Sequence, residues 1–263
     1  MPPPHISRPI LRFFRRIVRG YFRRQFRAVR VSEATRFSSL RSGPLIVYAN
    51  HSSWWDPMVS VLLAAELMPT RDHFAPMDAS ALERYQILKR IGIFGVDMTS
   101  ARGAVQFLRT GLAILEEQGV LWITPQGRFV DARERPLGFK PGLAALAARV
   151  PGGCTVLPLA IEYAFWDERF PETLLHFGEP VQVLDQDAAE VEPALKEALE
   201  KAMDELKEMV IAREPAAFEL LAQGSAGTGG FYEAGQRFIA RLKGRPYRAE
   251  HTAVAPVRRA SEE

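Results

Sequence analysis

The sequence predicts an α/β fold: a single domain with a mostly parallel central sheet flanked by helices, plus an N-terminal amphipathic helix and a helical C-terminal extension. Three observations predict it. Short apolar runs rich in β-formers alternate with helix-length segments of 3.6-residue periodicity, the pattern of parallel strands joined by crossover helices. The chain has 263 residues and is 47% hydrophobic, enough for one sizeable core and too little for two full domains. The ends differ in character from the middle, basic at the start and charged, then glycine-rich, at the finish.

The N-terminal segment carries Arg8, Arg12, Arg15, Arg16, Arg19, Arg23, Arg24, Arg27 and Arg30 with no acidic residue before Glu33. Wound at 100° per residue, all but Arg24 fall in one arc, opposite Ile10, Leu11, Phe13, Phe14, Ile17, Val18, Tyr21 and Phe22. That pattern is expected of a helix lying in a membrane interface, held by anionic lipid and by its apolar face. A helix docked on the protein's own core is the plainer alternative. A nucleic-acid arm is disfavoured, because phosphate contact needs no broad aromatic face. Residues 31–42 read as a polar connection, so the first segment spans 1–40.

The domain proper is expected over 41–213. Pro44 to Ala49 is an apolar strand bounded by Ser42-Gly43 and Asn50. Asp56-Pro57 opens a helix through Met58 to Ala65, with proline suited to the first turn. His73 to Met77 reads as a strand, Leu82 to Ile91 as a helix and Ile93 to Val96 as a strand. Gly103 to Gln118 is a helix with Val105, Leu108, Leu112 and Leu115 inward and Gly119 at its C′ position. Val120 to Thr124 is a strand followed by the loop Pro125-Gln126-Gly127-Arg128. Lys140-Pro141-Gly142 opens an alanine-rich helix to Val150, and Thr155 to Glu162 is another core strand. Leu174 to Phe177 and Val181 to Leu184 are expected as edge strands, and Ala188 to Arg213 as an amphipathic helix. Residues 214–263 read as a linker centred on 223–230, a short helix over 231–243 and a poorly ordered tail.

A single cysteine, Cys154, excludes an intramolecular disulfide and a multi-cysteine metal site, as suits a reducing cytoplasm. Its turn-to-strand setting predicts a buried thiol rather than a nucleophile. No apolar run reaches the roughly 20 residues of a membrane-spanning helix.

The chemistry centres on Asn50-His51-Ser52-Ser53-Trp54-Trp55-Asp56-Pro57. His51 falls between a strand and a helix start, where α/β folds place their sites, and Asp56 is near enough to orient its imidazole for general-base work. Taken alone, the pair also fits a helix cap or a turn contact. Ser52 and Ser53 fit turn and helix-start roles better than covalent ones. Trp54 and Trp55 either line an acyl-chain entrance or pack in the core.

With His51 and Asp56 ahead of the Pro125-Gln126-Gly127-Arg128 loop and the Val156-Leu157-Pro158-Leu159-Ala160 strand, the chain resembles the glycerolipid acyltransferases, the 1-acylglycerol-3-phosphate acyltransferase-like family. The resemblance covers roughly residues 40 to 185 as an ordered set of blocks, of which the HxxxxD pair is the first. It implies an acyltransferase of lipid metabolism and phospholipid biosynthesis, with His51 as base and Asp56 as its orienter. The acceptor would be a hydroxyl of a lysophospholipid or a related amphiphile. No cofactor is implied: acyl-CoA or acyl-carrier protein is a co-substrate. Substrate contacts are expected from Gln126, Gly127, Arg128, Arg102 and Lys140, with Arg133 and Arg135 on the same cationic loop. The expected partners are the donor, a lipid acceptor and an anionic membrane surface at the cytoplasmic face of the cell membrane, with no nucleic acid and no metal. The chain departs from the family at Met98 and Phe129, where arginine is usual, and at Gln126, where glutamate is common. A catalytically inactive membrane-binding homologue is one alternative. A lipid esterase is another, disfavoured because the chain lacks a Gly-x-Ser-x-Gly elbow.

Overall fold

The computed structural model describes residues 3–225; the helix expected over 231–243 and the tail after it lie outside them. The chain begins with α1 (Arg8–Gln25), β1 (Ala28–Ser32), α2 (Ala34–Ser38), β2 (Leu45–Ala49) and α3 (Asp56–Leu67). Then come β3 (His73–Asp78), α4 (Ala79–Arg84), a 3-10 turn (Gln86–Ile91), β4 (Ile93–Val96), α5 (Ala101–Glu116) and β5 (Val120–Ile123). The last described part holds α6 (Gly142–Ala147), β6 (Cys154–Ala164), β7 (Glu172–Phe177), β8 (Val181–Val183), α7 (Ala188–Ala212) and β9 (Glu219–Gln223).

The strands form one sheet in the order β4-β3-β5-β2-β6-β7-β1-β9, with β8 pairing β6 off this path. From β4 to β6 every pairing is parallel, so the carboxyl ends of five strands share one rim. β6 and β7 pair antiparallel, and β7 and β1 parallel, so β1 and β7 start where those five strands end.

Helices cover both faces, which is why β2 is apolar throughout rather than alternating with polar residues. Leu45, Val47 and Ala49 face a core that includes Val18, Phe22, Phe37, Leu62 and Leu63 from α1, α2 and α3. Ile46 and Tyr48 face the opposite core with Ile114, Leu146, Leu195 and Leu199 from α5, α6 and α7. Each Val, Leu, Ile or Phe among them contributes on the order of 1.5–3 kcal/mol when fully buried. The Tyr48 hydroxyl, deep in that second core, donates to Leu195 O at 2.8 Å.

Both ends of the chain depart from the fold expected of the sequence. The first helix stops at Gln25 instead of reaching Arg30, and residues 28–32 form an interior strand rather than part of a helix and connection. Ala28-Val29-Arg30-Val31-Ser32 is entirely buried, its charge balanced by Glu172 Oε2 at 3.0 Å from Arg30 Nε. An arginine expected on the lipid-facing arc of the basic helix is thus an interior one. β9 pairs antiparallel with β1, so the sheet draws strands from both sides of the 41–213 segment. β7 is interior, between β6 and β1, not an edge.

Smaller differences are local. The helix expected over 82–91 divides at Tyr85 into α4 and the 3-10 turn. In α5 the buried stripe is Gly103, Thr110, Gly111, Ile114 and Leu115, and Val105 faces out. Gln118, rather than Gly119, takes the left-handed conformation after that helix.

The arginine helix docks on the protein. Val18 and Phe22 of α1 are buried, Arg19 pairs with Glu66 of α3, and Arg8 reaches Asp72 at the foot of β3. Its outer face keeps Arg12, Arg16, Arg23 and Arg24 exposed, together with Phe13 and Tyr21. No helix among the described residues is long and apolar enough to cross a membrane.

Candidate active site

The site is built where β2 leaves the sheet between β5 and β6. Asn50, 1% exposed, continues the sheet ladder with its side chain: Nδ2 donates to Ile161 O at 2.9 Å and Oδ1 accepts from Ile161 N at 2.8 Å. The next residue is therefore delivered at a fixed point on the rim. The loop after β5 then grips the His51 backbone from both sides. Its N–H donates to Gln126 Oε1 at 2.9 Å, and its carbonyl accepts from Val130 N at 2.7 Å.

The imidazole is oriented by α3. His51 Nδ1 lies 2.8 Å from Oδ2 of Asp56, a residue 1% exposed in the first turn of that helix, where the dipole favours a negative charge. Asp56 Oδ2 also accepts from Ser53 N at 2.9 Å, and Oδ1 accepts from Tyr163 O–H at 2.7 Å. A carboxylate only accepts, so the bond to His51 requires the proton on Nδ1 and leaves the Nε2 lone pair of the neutral ring available. No described residue hydrogen-bonds Nε2, and the His51 side chain is 16% exposed. Burial and then the Asp56 charge push the Tyr163 phenol well above its ordinary range, so it remains an O–H donor.

Aromatic side chains wall the site. The exposed Phe129 ring packs on the His51 imidazole with centroids 4.5 Å apart. Trp55 is enclosed by Phe22, Phe26 and Tyr21 from the end of α1, while Trp54 stands 56% exposed beside it. One tryptophan packs inside and the other faces out.

The remaining sequence-predicted residues divide. Gln126 is 5% exposed, its side-chain carbonyl committed to the His51 backbone. Gly127 has φ +63°, a conformation that favours glycine, and lies under the Lys140 side chain, whose flexible end an added Cβ would have to displace from 2.7 Å. Lys140 N donates to Pro125 O at 2.8 Å, which folds the loop back on itself. Arg128 is exposed and pairs with Glu134, and Arg133 pairs with Asp131, so much of the cationic loop is neutralised internally. Arg102 is exposed in the first turn of α5, on the same rim but beyond the intervening β5 and β3, with no described contact to His51. Asp97, next to Met98, accepts from Thr99 and Ser100, and its carboxyl is held down at about 2.

Two contributors escaped the sequence reading. Tyr163 lies 107 residues from Asp56, and only its alternation with Leu159 and Ile161 hinted at which face it takes. By sequence Asn50 marks only the end of a strand. Cys154 is buried, its thiol pushed up to about 12, as expected of a structural cysteine. Among the described residues no group of three or more His, Cys, Asp or Glu is placed to hold a metal ion.

Fold and site together define an α/β protein with a histidine–carboxylate pair open at the carboxyl rim of a parallel sheet. A family model described as Acyltransferase matches residues 28–162, just over half of the chain, and the protein belongs to that family, the 1-acylglycerol-3-phosphate acyltransferase-like enzymes. It is an acyltransferase. The match begins at β1, the strand that the sequence reading had assigned to the basic helix and its connection. A comparison with curated proteins gives no match.

Proposed function

We propose that this enzyme is a peripheral membrane O-acyltransferase in which His51 is the general base and Asp56 its orienter. It moves a fatty acyl group from acyl-CoA or acyl-carrier protein to a hydroxyl of a lysophospholipid or a related amphiphilic acceptor. The observation that carries this reading is the 2.8 Å bond from His51 Nδ1 to the buried Asp56 carboxylate, with Nε2 left open on the rim. Nε2 takes the acceptor's hydroxyl proton as its oxygen attacks the thioester carbonyl. The tetrahedral intermediate collapses, the carbon–sulfur bond breaks, and the imidazolium returns the proton to the departing thiolate. General-base help of this kind is worth about 10²–10⁴ in rate, and alignment of the two substrates supplies more.

The acceptor side is read from Phe129. An aromatic ring, not a cation, lies against the base, which favours an acceptor with an apolar flank beside its hydroxyl over one that presents a phosphate there. Lys140 and Arg102, exposed and with no ion pair among the described residues, are the cations proposed to meet phosphates of the donor or the head group.

Membrane contact is assigned to the outer face of α1. Arg12, Arg16, Arg23 and Arg24 would meet anionic headgroups, and Phe13, Tyr21 and the nearby Trp54 the acyl boundary. Because the inner face of α1 is core, removing the helix would disturb the fold. Charge reversal is cleaner: the R12E/R16E/R23E/R24E variant should lose co-sedimentation with phosphatidylglycerol vesicles, and unchanged sedimentation would refute the assignment.

The chemistry is tested with acyl-labelled palmitoyl-CoA and vesicles of mixed lysophospholipids, the products resolved by mass spectrometry. Labelled diacyl lipid is expected from the wild type and none above background from His51→Ala. Label released only as free fatty acid would point instead to an esterase.

A further inference from the structure

We infer that Tyr163 is a third member of the His51–Asp56 arrangement, a positioning residue that acts through Asp56. The inference rests on the reading of His51 as the base. Asp56 is 1% exposed and accepts three hydrogen bonds, two from its own loop and one from β6. Oδ2 takes His51 Nδ1 at 2.8 Å and Ser53 N at 2.9 Å; Oδ1 takes the Tyr163 hydroxyl at 2.7 Å. Of the three donors, only Tyr163 comes from outside the loop and helix that carry Asp56 itself. It is therefore the contact that fixes the carboxylate plane relative to the sheet.

The register of β6 explains why this tyrosine faces the pair. Leu159, Ile161 and Tyr163 alternate onto the face covered by α1 and α3, and Asn50 locks Ile161, two residues before Tyr163, to the end of β2. The ring is then held from behind by Phe26, at 5.8 Å between centroids, and Phe26 in turn meets Trp55 edge-on at 4.9 Å. Tyr163 thus has little freedom to leave Asp56. Its hydroxyl stabilises the ionised carboxylate and draws part of the negative charge away from the imidazole. Both effects tune how readily His51 holds a proton while leaving the substrate surface untouched.

The test is Tyr163→Phe in the full chain, which removes one oxygen and keeps the ring packed against Phe26. With palmitoyl-CoA and mixed lysophospholipid vesicles, kcat should fall about 10- to 100-fold while KM for both substrates stays within about twofold. Without the tyrosine bond more of the Asp56 charge is available to the imidazolium, so the acidic limb of the pH–rate profile should move to higher pH, by about half a unit to one unit. A wild-type kcat would overturn the inference. So would a lower kcat with an unmoved acidic limb, or a rise in KM alone, since either is what a purely structural tyrosine would give. His51→Ala separates the two levels. A dead His51→Ala beside a wild-type Tyr163→Phe sinks this inference only, whereas an active His51→Ala removes the reading beneath it as well.

Discussion

Two histidines among the described residues bond to a carboxylate, and they sit in opposite circumstances. His51 stands at the carboxyl rim, its Nδ1 on Asp56 and its Nε2 without a described partner. His176 lies inside β7, its Nδ1 2.7 Å from Ser32 Oγ on β1 and its Nε2 2.9 Å from Glu205 Oε2 on α7. By connectivity alone the second is the more suggestive, since serine, histidine and glutamate form an unbroken relay. Yet Ser32 is 6% exposed and the His176 side chain likewise 6%, and both ring nitrogens are engaged. The comparison teaches that a hydrogen-bond chain does not make a site. What separates the two is an open nitrogen at the rim, against a ring used up in tying α7 to the sheet.

The largest expected effect follows directly. His51→Ala should lower transfer by about 10³-fold, within the range for loss of a general base, while His176→Gln stays within about twofold of wild type. Steady-state rates of both variants check this, and the reverse ranking would break the comparison. Asp56→Asn should cost about 10²-fold or more, because an amide cannot fix Nδ1–H and Nε2 in the required tautomer; a circular-dichroism spectrum like the wild type's would show that the loss is chemical. For the interior histidine the expected loss is in stability. His176→Ala removes the ring that links Ser32 on β1 to Glu205 on α7 and should cost about 1–3 kcal/mol in urea unfolding, with activity at saturating substrate retained.

A pH effect sharpens the contrast further. Another interior histidine, His73, accepts from Trp122 Nε1 at Nδ1 and bonds Met68 O through Nε2, and burial lowers its pKa from 6.5 to about 4. The unfolded chain binds that proton at higher pH than the folded one does. Between about 6.5 and about 4, acidification therefore destabilises the fold, by on the order of 3 kcal/mol across the window. The stability is fully present above the unfolded value. Burial lowers the His176 pKa too, which adds in the same direction. Urea midpoints taken at several pH values should fall through this window, and a flat profile would contradict the interior assignment.

Much of this architecture could be read in the chain. The strands from β2 to β6 are apolar runs with clear turn boundaries, and the HxxxxD pair falls at a strand end with a helix start immediately after it. What escaped was non-local. β1 was hidden because Arg30 carries a charge whose partner, Glu172, is 142 residues away, so the segment looked like more of the arginine helix. β9 forms only against β1 and was lost with it. Gln126 was expected at the substrate, yet its hydrogen bond to the His51 backbone spans 75 residues and turns it inward. The apolar stripe of α1 was legible as a face, but periodicity does not say what covers a face, and Val18 and Phe22 are covered by the protein itself.

The central claim is that the open histidine, rather than the interior one, drives acyl transfer. The most direct measurement is lipid mass spectrometry of cells that express the wild type, His51→Ala or His176→Gln, because it requires no prior choice of acceptor. An acylated lipid should accumulate with the wild type and with His176→Gln and be absent with His51→Ala. The same lipid at wild-type level with His51→Ala would contradict the account.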